Sequence, residues 1–419
     1  MSVLPEPVRG FLDRLPAPPG GLSRVREAGR ERFAESGFPT RRAENWRYSD
    51  LRPLIEARFS GGAAPALADE FAQADRLVFV DGRLDRAASR VGTLPEGAFI
   101  GSFAEWSERD PEAASASFDL AGGADRAFLS LNAGWFTDGA AILVPAGVAL
   151  DRPVFVQHWN SGAAAHVKSV IRLGGGASAV VLERYQGEGA GWTNAAVTID
   201  LGDEARLGRY VLQTESDAAF HTASLATRIG RAARLDGFLL SLGARLARQD
   251  ADLTLAGDGA YCGFSGGYLL RGQQESALRS LIRHAAPHGR TQEIFKGCVA
   301  DRAHGVFQGK ILVDQDAQKT DGYQLSKTIL LGERAMMDAK PELEIHADDV
   351  KCSHGATVGD LDETALFYLR SRGLRPETAR RLLIEAFVQD AVGVVEDEAA
   401  RAWLGAAVAS RLEAFGSWE

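Results

Sequence analysis

Cysteine is scarce in this chain. Cys262, Cys298 and Cys352 are the only three in 419 residues, and no two form a CxxC pair. That spacing argues against a zinc knuckle or a disulfide framework and points to a reducing cytosol. Long apolar runs are also missing: nothing approaches the roughly 18 residues that a membrane span requires. The N-terminal MSVLPEPVRGFLDRLPAPPG has no basic stretch leading into an apolar one, so no signal peptide is expected. Nor is there an excess of positive charge. Lys and Arg number 47 against 56 Asp and Glu, a formal charge of −9. This balance argues against a general nucleic-acid binder and against docking on anionic lipid. What remains, 45% hydrophobic and 25% charged residues, is a globular balance with enough length for one large solenoid or two ordinary domains.

The most informative structural feature is a repeat. An apolar residue, Gly or Ala, two variable residues and Ala recur as LGGGA (173–177), LGDEA (201–205), IGRAA (229–233), VADRA (299–303) and LGERA (331–335). A looser copy is LAGDGA (255–260). The first three begin 28 residues apart; the intervals then become 26, 44 and 32. Each of the first four turns follows an alternating strand pattern, such as Val167, Ile171 and Leu173 or Val197, Ile199 and Leu201. A fixed-period strand and tight turn means stacked coils that bury their apolar faces on one another. The repeat predicts a mainly β fold, a parallel β-helix of about seven coils if each takes ~28 residues. A β-sandwich with coincidental spacing is the alternative.

Residues 1–139 read as a helical or mixed region, 140–358 as the β-helix core and 359–419 as a helical region. In the first, Ser23 is placed to cap a helix carrying Val25, Ala28, Phe33 and Ala34, with Gly37 at its C-terminal end. SGGAAPALAD (60–69) reads as a mobile connection. In the last, Asp362 is placed to cap ETALFYLRSR, Gly373 to end it, and Pro376 to open a helix with Ala379, Leu382, Leu383, Ala386, Phe387 and Ala391 near one face. A final helix is expected near 397–415. These helices are expected to cap the last coil, to dock a partner, or both.

Three segments could carry chemistry. GVFQGKILV (305–313) lacks the spacing of a phosphate loop, and its β-branched residues make it a strand. His284, His288, Glu293 and His304 have metal-ligating side chains, but Pro287 and Gly289 break any helix that would bring His284 and His288 together, so they read as turn histidines. Cys352 and His354, in DVKCSHGATVG (349–359), lie two apart and leave a strand from the same face. Thiolate and imidazole suit iron and iron–sulfur clusters, yet two ligands cannot close a site. The others would come from a second chain, sulfide or solvent.

KTDGYQLSKTILLGERAMMDAKPELEIHADDVKCSHGATVGDLDETALFYLRSRGL (319–374) resembles the C-terminal core of the SufB/SufD scaffold family, on its SufD side. RRAENWRYSDL (41–51) and HAAPHGRTQEIFKG (284–297) are similar to that family as well. The resemblance implies a right-handed parallel β-helix between helical ends, and a non-enzymatic scaffold in the cytoplasm. It implies a SufB-type partner and the ABC-type ATPase SufC, with self-pairing open to the chain when SufB is absent. The family's cluster-assembly histidine falls on His354, with Cys352 beside it. Both would face SufB and meet iron or a nascent cluster at the interface, with no cofactor held tightly by the isolated chain. SufC would dock around residues 362–395, where Tyr368, Arg370, Arg372, Leu382, Leu383 and Phe387 are the candidate contacts. A SufB-type paralogue and a β-helix carbohydrate lyase are the rival readings; the second would need a column of exposed carboxylates.

Overall fold

A computed structural model describes residues 6–15, 20–118 and 126–414. From Ala140 to Gly359 the chain passes alternately into two sheets, and from strand Ala164–Leu173 onward each strand pairs in parallel with the strand two places earlier. One sheet has nine strands and ends in Glu275–His284, His304–Val313 and Met336–Ile345. The other has ten and ends in Arg290–Val299, Asp321–Leu330 and Lys351–Gly359. Parallel pairing of every second strand is the topology of a solenoid and excludes the sandwich alternative, whose hairpins pair antiparallel. The coils number about eight, one more than the period suggested. Sixteen strands lie between Ala140 and Gly359, and two strands make one coil.

The repeat motif marks the corners. Leu173, Leu201, Ile229 and Leu255 stand in register on successive strands and are at most 1% exposed. The glycine that follows is required by the closeness of the next coil: a Cβ on Gly202 would lie 2.7 Å from the Gly175 nitrogen. One residue before the closing alanine, Glu204 and Ala232 adopt φ of 63° and 54° to turn the chain. The alanine itself, at 177, 205, 233 and 260, is fully buried. Gly230→Ala would place a Cβ 2.8 Å from the Leu201 oxygen. The expected cost is about 1–3 kcal/mol of stability, typical of overpacking, checked by urea unfolding; an unchanged midpoint would contradict this reading.

The 44-residue interval has a topological cause. VADRA and LGERA sit at the opposite corner, where the chain leaves the ten-stranded sheet for the nine-stranded one. Leu331 is therefore buried, at 4% exposed, but not at a turn equivalent to those after Leu173, Leu201 and Ile229. It packs in the outer cluster with Leu269 and Cys298, while the other three face the interior of the solenoid.

The helices lie along the sides. Residues Ile384, Val388, Ala391 and Val392 of helix Pro376–Val392 pack with Leu240, Leu269 and Cys298 on the outer face of the ten-stranded sheet. The expected cap over the last coil is thus absent from the described residues. The apolar outer face of the middle strands is what attracts these helices, since each such side chain gains about 1.5–3 kcal/mol on burial. Asp362 does cap helix Glu363–Ser371, accepting from the Thr364 and Ala365 amides, and Gly373 follows with φ 88°. The last helix is Glu398–Ala414.

Three local expectations need correction. Ser23 does not cap: it is the first residue of helix Ser23–Ser36, preceded by Leu22 in the left-handed region. The buried face there is Arg26, Gly29 and Phe33 rather than Val25, Ala28 and Ala34, because Gly29 crosses tightly against Gly134 of helix Ala127–Trp135. The segment read as a mobile connection is tied to the solenoid at its start, by Ser60 N–H to the Gly162 carbonyl at 2.9 Å and Gly62 N–H to Ser161 Oγ at 2.7 Å. Residues 41–51 lie across the outer face of the nine-stranded sheet. Trp46 is buried beneath the Arg248 guanidinium, 3.7 Å from its ring, and Glu44 pairs with Lys340 near the last coil at 2.5 Å.

Candidate functional site: the open end of the solenoid

The two ends of the solenoid are finished differently. At the first coil the short strands Arg83–Leu84 and Phe99–Ser102 pair antiparallel and close both sheets. At the other end, Met336–Ile345 and Lys351–Gly359 are edge strands with no further strand beyond them among the described residues. Their exposure follows directly: residues of Lys351–Gly359 are exposed or half-buried throughout, whereas Gln324, Ser326 and Thr328 one coil below are at most 3% exposed. A bare edge leaves backbone N–H and C=O groups ready to pair with another chain.

This end is where Cys352 and His354 stand. Parallel register pairs Gly322 with Cys352 and Gln324 with His354, so these side chains share the inward face with Ala356 and Val358. Cys352 is half-buried and packs against the interior cluster, its sulfur 3.2 Å from where a Cβ on Gly322 would lie. Burial holds its thiol above the ordinary value. Iron would therefore have to displace the proton before the sulfur could bind. His354 is exposed. The described residues contain no group of three or more His, Cys, Asp or Glu positioned to hold a metal ion. The end thus offers an imidazole and a thiol on one face and leaves the rest of any ligand set to another molecule.

The other histidines do not converge. His284 is fully buried at a strand end, its Nε2 2.9 Å from Thr291 Oγ1, and desolvation lowers its pKa to about 4. His288 is in a turn with φ 55° and bonds Asp258 at 2.7 Å, and His304 opens a strand and bonds Asp338 at 2.7 Å. Glu293 lies inside the solenoid, away from all three in role: it accepts from Ser280 Oγ at 2.5 Å and Gln324 Nε2 at 2.7 Å. Residues 305–313 form a regular strand, as their pattern required.

On the C-terminal helices the candidate contacts divide. Tyr368 and Leu382 are 56% and 40% exposed; Arg370 and Arg372 are exposed too, with the Arg372 guanidinium 5.1 Å from the Tyr368 ring. Leu383 and Phe387 instead pack against the cluster that fixes the helix to the sheet. Phe367, at 73% exposed, is the most exposed large apolar residue described. Sequence reasoning missed it, although an aromatic beside buried Leu366 must face outward on so short a helix.

Fold and site define a parallel β-solenoid protein whose last coil is open and carries an imidazole and a thiol on one face. The chain belongs to the SufBD family: the model of the SUF system FeS cluster assembly SufBD core domain matches residues 155–387, and that of the SufBD N-terminal region matches 70–156. It is 31% identical to the iron–sulfur cluster assembly protein SufD of Escherichia coli, over 91% of each chain. It is 30% identical to a SufBD family protein of Synechocystis, over 87% of this chain and 86% of that one. A chloroplastic protein of Arabidopsis thaliana is 27% identical over 93% of this chain and 86% of its own. The chain is a SufD-like iron–sulfur cluster assembly protein. No described helix is long and apolar enough to cross a membrane.

Proposed function

We propose that the chain is a non-catalytic scaffold subunit that pairs its open end with a SufB-type chain and presents His354 to the cluster being built there. The observation that carries this reading is the bare last coil. An exposed edge in each sheet, with an imidazole and a thiol on the inward face between them, is a surface complementary to another solenoid end and an incomplete metal site at once. Iron and the nascent cluster are cargo here. His354 supplies a nitrogen ligand, Cys352 a second donor once deprotonated, and SufB and sulfide the remainder. Alignment with a SufD over 91% of both chains favours this reading over a SufB-type paralogue.

ATP hydrolysis is assigned to SufC, docked on the C-terminal helices through Phe367, Tyr368, Arg370, Arg372 and Leu382. Leu383 and Phe387 support that surface from beneath. Because the helices cover Leu240, Leu269 and Cys298, deleting them would strip the sheet as well as the docking surface. A surface substitution separates the two. Phe367→Asp is expected to leave the unfolding midpoint within about 0.5 kcal/mol of wild type. Capture of SufC by the co-expressed complex should fall at least tenfold, read by pull-down from the cytoplasm, where we place the protein. Undiminished capture would remove Phe367 from the docking surface. Co-expression with SufB and SufC, followed by native mass and iron analysis, tests the whole reading; a chain that assembles with neither partner would overturn it.

A further inference from the structure

Directly beneath His354 the interior of the solenoid is polar in a specific way. Three side chains stack in register on successive coils: Glu293, then Gln324, then His354. Glu293 and Gln324 are both fully buried. Glu293 accepts from the Ser280 hydroxyl through one oxygen and from Gln324 Nε2 through the other. Above the value of about 7 to which burial raises it, this group is a carboxylate that can only accept, so it dictates which way the Gln324 amide points. Gln324 must turn its NH2 toward Glu293, which leaves its Oε1 free. That oxygen is buried and has no hydrogen-bond partner. Across the interior, Gly309 leaves the space the amide needs: a Cβ there would collide with Gln324 Nε2. A buried carbonyl oxygen without a donor is costly unless something reaches it. The next residue in the column, one strand spacing away, is His354.

We propose that Glu293 and Gln324 are positioning residues that set the tautomer of His354. In this arrangement the imidazole turns inward over the last coil so that one ring N–H reaches the unpartnered Gln324 Oε1, which leaves the lone pair on the opposite nitrogen, directed out of the open end. A metal-ligating histidine normally has its second nitrogen held in this way, which fixes ring orientation and raises ligand basicity. The inference rests on the reading of His354 as a ligand but concerns the metal-free chain.

Glu293→Gln tests it, because that substitution preserves shape and reverses polarity. With the new carbonyl held by the Ser280 hydroxyl, the new NH2 faces Gln324. Gln324 must then rotate to offer its oxygen downward and its NH2 toward His354. The imidazole nitrogen facing Gln324 becomes the acceptor, and the outward nitrogen takes the proton. The measurement is nitrogen NMR of the full-length, 15N-histidine-labelled chain at about pH 8.5, where a carboxyl raised to about 7 by burial is ionised. His354 is assigned by comparison with His354→Ala. The expected result is an exchange of the protonated and unprotonated ring-nitrogen resonances between wild type and Glu293→Gln, with the circular dichroism spectrum unchanged. Titration of the metal-free variant complex with ferrous iron is expected to show roughly tenfold or greater loss of affinity. An identical tautomer in the folded variant would overturn the inference. Should Glu293→Gln not fold, Gly309→Ala displaces the Gln324 amide while keeping Glu293; retention of a single wild-type tautomer there would overturn it equally. Iron retained by His354→Ala would instead remove the ligand role, a failure distinct from either.

Discussion

Replacing Arg209 by Met is expected to destabilise the chain by about 3–5 kcal/mol at neutral pH, the cost of stranding a buried partner. Glu183 and Arg209 sit inside the solenoid on adjacent coils, 3% and 8% exposed, joined by two hydrogen bonds of 2.7 and 2.9 Å. Burial alone would push the Glu183 carboxyl up, but the guanidinium outweighs it and holds the group below its ordinary value. In wild type the pair therefore contributes stability above the unfolded carboxyl pKa of about 4.3, and loses it as pH falls through the lower folded value. In Arg209→Met the Tyr185 hydroxyl, at 3.1 Å, is the one hydrogen-bond donor to the carboxylate left among the described residues, with the His158 ring, whose own pKa burial lowers to about 4, nearby. Desolvation then dominates, the folded pKa rises above the unfolded one, and stability is lost as pH increases. The deficit against wild type should accordingly be smaller at about pH 4.5 than at about pH 7.5. Urea unfolding at the two values checks this; a deficit independent of pH would contradict the assignment. Glu183→Gln combined with Arg209→Met should recover part of the loss, since no charge is then left unpaired.

His354→Ala should behave in the opposite manner, silent in stability and large in function. The side chain is exposed on the last strand, so truncation is expected to change the unfolding free energy by less than about 0.5 kcal/mol. The edge backbone that would join the partner is untouched, so SufB and SufC should co-purify as with wild type. Iron bound by the complex should fall about tenfold or more, as expected when a ligand rather than a packing residue is removed. Cys352→Ser should lose less, because the thiol is half-buried and held protonated by that burial. Iron content equal to wild type in His354→Ala would make the residue structural and leave the cluster to the partner chain.

The sequence by itself determined that the core is a stack of coils. The spacing of LGGGA, LGDEA and IGRAA follows from one physical need, a corner where neighbouring backbones nearly touch and even a single Cβ at the glycine would crowd them. It determined the helix at Asp362, whose cap is local chemistry, and it placed Cys352 and His354 on one face, because strand alternation is a property of the backbone. Tertiary structure decided the rest. Whether VADRA lies at the same corner as IGRAA depends on which sheet the chain has just left, and both corners accept the same small residues. Whether the C-terminal helices cover the last coil or the side depends on where an apolar surface is free. That surface is assembled from Leu240, Leu269 and Cys298, far apart in sequence. The alignment of Glu293 and Gln324 beneath His354 arises only when three coils come into register. No local pattern encodes it, because residues some 30 positions apart become neighbours solely through the length of the coils between them.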